Sequence, residues 1–89
     1  MKWEKSNEET PKEILVTGNS RGFTITKKKE NICTFLSRQG FIAKGFKYPN
    51  EVLNHIARCI HASDDDILYV DSTGLTLIEE INEANRDLY

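Results

Sequence analysis

The chain is poor in the residues that staple small secreted domains or build metal centres. Its two cysteines, Cys33 and Cys59, stand far apart with no CxxC spacing, so neither a disulfide framework nor a thiolate zinc motif can be read. The polar start, Met1 to Glu9, has no apolar core of a secretory signal, and the cysteines read as reduced packing residues. Histidine is equally scarce. His55 and His61 lie six apart on one expected helix, where chelation wants i,i+4, so no metal pair is expected. No apolar run approaches the ~20 residues that span a bilayer, which makes a membrane partner unexpected and the cytoplasm the default compartment. Asp64-Asp65-Asp66 lacks the alternating ligands and glycine of a calcium loop. No nucleophile stands beside a base, so no catalytic residue is named and no cofactor is expected.

What is present suits one thin-cored domain. Eighty-nine residues, 38% apolar and 29% charged, have the composition of a globular protein. Residues 1–12 read as a flexible polar tail, with Trp3 loose or docked on a partner, and 13–89 as a single globular domain. Ile14-Leu15-Val16-Thr17 is a short apolar run that ends in the turn formers Gly18 to Gly22. Phe41 to Tyr48 alternates like a strand and stops at Pro49-Asn50. Glu51 to Ala62 is the clearest helix, with Val52, Leu53, Ile56, Cys59 and Ile60 on one face and Asn50 as N-cap. Ile67 to Val70 reads as a strand. From Thr76, a capping-box pattern opens a helix whose stripe is Leu77, Ile78, Ile81, Ala84 and Leu88.

Segment 23–39 decides the fold. Its β-branched and aromatic residues, Phe23 to Ile25 and Ile32 to Phe35, favour two strands around a Lys-Glu-Asn turn. Lys27-Lys28-Lys29 near a helix start would oppose the helix dipole. The expected class is therefore α+β: a four-stranded antiparallel meander over about 13–48, packed by helix 50–62, then short strand 67–70 and C-terminal helix 76–88. The alternative, with 23–39 helical, is a small α/β domain in β-α-β-α-β-α order.

Two short stretches resemble known families. Ile14 to Phe23 resembles the opening strand and glycine turn of short-chain dehydrogenases, which would imply phosphate cradling by backbone amides. The third glycine position is Thr24 and that family's Tyr-x-x-x-Lys pair is missing, so a plain loop is the reading taken. Val70 to Leu75 resembles the Asp-Ser-Ser/Thr-Gly-Leu segment of anti-sigma-factor antagonist domains. That resemblance implies phosphorylation at Thr73; the residues alone imply turn and cap roles for Ser72 and Thr73.

The net charge of −2 conceals a separation along the chain. Residues 21–49 carry seven basic groups against Glu30 alone, whereas 50–89 carry nine acidic against Arg58 and Arg86. A small non-enzymatic regulatory or inhibitory protein is the first expectation, docking on a protein partner through the acidic half at Glu79, Glu80 and Glu83. The second is a nucleic-acid or nucleotide-binding module. It would use Arg21, Lys27, Lys28, Lys29, Arg38, Lys44 and Lys47 for phosphates and Phe35, turned away from the helix, for stacking. A nucleotide-dependent enzyme fragment is the third, resting on the glycine turn. Exposed strand edges leave a homodimer open.

Overall fold

The structure, a computed structural model, describes residues 2–7 and 12–86. Strands β1 (Lys2–Lys5), β2 (Ile14–Gly18), β3 (Gly22–Lys27) and β4 (Ile32–Ser37) come first, then helices α1 (Arg38–Ala43) and α2 (Pro49–Cys59). Strand β5 (Ile67–Val70) and helix α3 (Ser72–Arg86) follow. The five strands form one mixed sheet in the order β1-β5-β2-β3-β4. β2, β3 and β4 are antiparallel neighbours, whereas β5 runs parallel to both β2 and β1. The class is α+β, and residues 22–37 form a hairpin, as the β-branched residues of segment 23–39 predict, with Arg38 and Gln39 opening α1. Asn31, at φ 51, takes the left-handed position in its turn, a conformation asparagine tolerates.

The meander has three strands, not four. Phe41 to Ala43, expected in a strand, belong to α1, and the reason lies at its ends. Ser37 Oγ accepts the Gly40 amide at the start, and Gly45, at φ 75, closes the end with its amide on the Ile42 carbonyl. Phe41 then turns into the core, its ring edge-on to Phe23 at 5.2 Å. Residues 2–5, read as part of a flexible tail, form the edge strand β1, with Trp3 opposite Leu68. The expected residues of the tail at 8–11 lie outside the described residues, as does Leu88 of the expected C-terminal stripe.

Helix boundaries shift for equally local reasons. Tyr48, not Asn50, is the N-cap of α2, because Pro49 with its fixed φ fills the first helical position. At the other end His61 adopts φ 53 and the amides of His61 and Ala62 reach back to the carbonyls of Arg58 and Ala57. That pair of bonds is a Schellman closure. Helix α3 begins at Ser72 rather than Thr76, since Asp71 Oδ1 caps the Gly74 amide at 2.6 Å.

All three helices lie on one side of the sheet. Ile14, Val16, Phe23, Ile25, Leu68 and Val70 alternate toward them and join Phe41, Val52, Leu53, Ile56, Leu77, Ile78 and Ile81 in one buried cluster. Each such fully buried side chain contributes on the order of 1.5–3 kcal/mol relative to exposure. Cysteine is not part of this packing: Cys33 and Cys59 are both free and exposed, contrary to expectation.

Candidate functional site

Strand alternation places the residues between the core positions on the opposite face, which none of the described helices covers. Cross-strand register aligns Thr17, Thr24 and Phe35 in one row, and Leu15, Thr26 and Cys33 in the next. Phe35 is 51% exposed there, away from the helices, where the sequence places it. Among the described residues β4 is the last strand of the sheet, so one of its edges has no strand partner. Phe35 therefore sits at an open edge as well as on an open face.

The chain turns bring charge to this aromatic ring. Asn19 Oδ1 accepts the amides of Arg21 and Gly22 at 2.9 and 3.1 Å, fixing the tight β2–β3 turn. Arg38 opens α1 directly after β4, and its amide donates to the Arg21 carbonyl at 2.9 Å. Ser20, Arg21, Phe35, Ser37, Arg38 and Gln39 consequently line a shallow depression of about 370 Å³. On its far side Arg38 Nε lies 3.6 Å from Glu80 Oε2, a partly exposed pair worth about 0–1 kcal/mol. Although the Arg38 side chain is partly exposed, its Nε atom is itself buried, and among the described residues it has no hydrogen-bond partner beyond that longer ion-pair contact.

Three of the eight anion-binding candidates, Arg21, Phe35 and Arg38, are thus brought together. The others are not. Lys27, Lys28 and Lys29 occupy the β3–β4 hairpin end, where Lys27 Nζ meets Glu30 Oε1 at 3.5 Å. Since Arg21 lies in the β2–β3 turn, these lysines are at the opposite end of β3. Lys44 caps the C-terminus of α1 and Lys47 leads into α2, with its amide on Glu51 Oε2. Glu79, Glu80 and Glu83 are exposed on α3, and Glu80 is the residue facing Arg38.

The dehydrogenase-like stretch departs from the geometry its resemblance implies. The Gly18–Gly22 turn leads into the antiparallel strand β3, whereas dinucleotide cradling requires a helix there. Asp71 takes the cap position of α3, with Ser72 and Thr73 exposed in its first turn.

Searches against family models, curated proteins and solved structures find no match to this chain.

Sequence reasoning overlooked one pair. His55 and Cys59 are four apart on α2, the spacing sought only between histidines, and Cys59 Sγ lies 3.6 Å from His55 Nε2. The His55 ring is half-buried, packed on Phe41 at 5.2 Å and Phe46 at 5.4 Å. Burial, then the nearby charges of Lys44 and Arg58, hold its pKa below the ordinary imidazole value. Among the described residues, no three His, Cys, Asp or Glu side chains cluster as a metal centre, and no helix is long and apolar enough to cross a membrane.

Proposed function

We propose that this domain is a protein-binding module that takes an extended segment of its partner along β4. Phe35 is the apolar anchor, and Arg21 and Arg38 select carboxylates flanking the apolar residue of the partner. The observation that supports this reading is the half-exposed Phe35 on an edge strand whose outer side has no strand partner among the described residues, sharing one depression with two guanidiniums. An open edge offers main-chain hydrogen bonds to an added strand, and aromatic and arginine side chains dominate interface energetics. Natural sheets commonly guard edges with proline or inward-pointing charge; β4, Ile-Cys-Thr-Phe-Leu-Ser, carries neither. The role is binding, regulatory or inhibitory toward the partner, with no catalytic step of its own.

A stacked nucleotide is the second reading, favoured by the same aromatic ring beside the same cations. The lysines at the far end of β3 do not extend that charge into a continuous track, which favours the acidic peptide.

Selection of peptides from a random display library against the protein tests the proposal. Enriched sequences are expected to pair apolar with acidic residues and to shift the backbone amide resonances of 32–37. Phe35→Ala should weaken them about tenfold or more. Charge reversal at Glu79 and Glu83 should leave them unchanged. Ligands that instead perturb α3, ignore Phe35→Ala and respond to the glutamates would transfer the contact to the acidic face. Oligonucleotide binding whose affinity falls steeply with salt, and no peptide binding, would establish the nucleotide reading.

A further inference from the structure

The geometry of α2 points to a cation site independent of the β4 surface. His55 and Cys59 stand one helical turn apart, with 3.6 Å between Nε2 and Sγ. A tetrahedral zinc-class ion, at about 2.3 Å from sulfur and about 2.0–2.1 Å from nitrogen, holds two such atoms about 3.5–3.6 Å apart. The apo spacing therefore already equals the bite of the ion. The imidazole is set in place by Phe41 and Phe46, and Cys59 is exposed and unpaired in any disulfide.

We propose that His55 and Cys59 form a two-ligand chelate for a thiophilic divalent cation of the zinc class. On binding, Cys59 loses its thiol proton to solvent and ligates as thiolate. Nε2 donates its lone pair while the ring proton stays on Nδ1. One proton leaves the protein per ion bound. No third protein ligand completes the centre among the described residues, so water or a small added ligand takes the remaining positions. A plain thiol–imidazole hydrogen bond is the competing account of the same distance.

The test is titration of the reduced protein with cadmium, read by its ultraviolet thiolate charge-transfer band, followed by displacement with zinc. One cadmium per chain is expected, released by zinc. Cys59→Ser should abolish the band. His55→Phe, which keeps an aromatic ring against Phe41 and Phe46, should weaken binding about tenfold or more. His55→Gln provides a second variant if the larger ring disturbs folding. Cys33→Ser and His61→Ala should bind like the parent, and zinc should shift the ring resonances of His55 alone. A band that survives both His55 variants undiminished, moves with Cys33, or never develops overturns the proposal.

Discussion

Gly18 and Gly74 meet backbone to backbone: a Cβ built on Gly18 would lie 2.5 Å from the Gly74 amide nitrogen. This approach lets one carboxylate serve two elements, because Asp71 Oδ1 accepts from Gly18 at 3.1 Å and Gly74 at 2.6 Å. The end of β2 and the start of α3 are thereby locked together. Gly18→Ala should cost about 1–3 kcal/mol through overpacking against an obstacle that is backbone and cannot rotate away. Urea unfolding measures it; a loss below a few tenths of a kcal/mol would mean that the two backbones are not in contact.

Phe35 and Phe23 lie on opposite faces of adjoining strands, so truncating each should have different consequences. Phe23→Ala empties a fully buried position and should cost about 3–5 kcal/mol. Phe35→Ala removes an exposed ring and should stay within about 1 kcal/mol. Parallel thermal melts of the two variants decide the matter. A large loss at Phe35 would make that ring structural and remove the reason to read it as a binding anchor.

The loop between α1 and α2 is held by buried amides. Asn82 and Asn85 are almost wholly buried, and both donate to the Phe46 carbonyl, at 3.2 and 2.9 Å. Asn85→Ala leaves that carbonyl one donor short and should cost about 1–3 kcal/mol. Hydrogen exchange should accelerate at the amides of 44–48. Unchanged protection there would show that the loop is held by Phe46 packing alone.

His55 should titrate below the usual imidazole midpoint of about 6.5. The folded protein resists the proton because of burial and then the charges of Lys44 and Arg58. Below that midpoint the unfolded chain holds more protons than the folded one, so stability should decline as pH falls through this range. Proton NMR of the ring follows the titration, and Lys44→Gln should move the midpoint partway back up. A midpoint at or above the ordinary value in the parent protein would contradict this account.

Much of the architecture was legible because single faces carry simple periods. The stripe Val52, Leu53, Ile56 and the alternation of Phe23 with Ile25 read directly as helix and strand, and Phe35 fell on the far face by parity. Segment 41–48 was misread because its alternation is real but incidental. Ser37 and Gly45 set helical ends there, and Phe41 packs edge-on against Phe23 in the core. Strand β1 carries no apolar pattern at all, since all four of its residues are exposed and its pairing is made by backbone hydrogen bonds. The candidate surface was only partly legible. Charge counted along the chain could not show that the hairpin carries Lys27 to Lys29 to one end of β3 and leaves Arg21 and Arg38 at the other.

The strand order also dictates a sequence of events during folding. β2, β3 and β4 are joined by short turns and can pair as soon as they exist, a local step that closes little loop entropy. β5, which belongs between β1 and β2, comes more than two dozen residues after β4 along the chain. Until it arrives, the nascent hairpins present the flank of β2 as a second unpaired border, rich in Ile14, Leu15 and Val16. Slow insertion of a distant strand prolongs that exposure and invites pairing with another chain. Truncation before Ile67 should therefore yield an aggregating polypeptide rather than a smaller soluble domain.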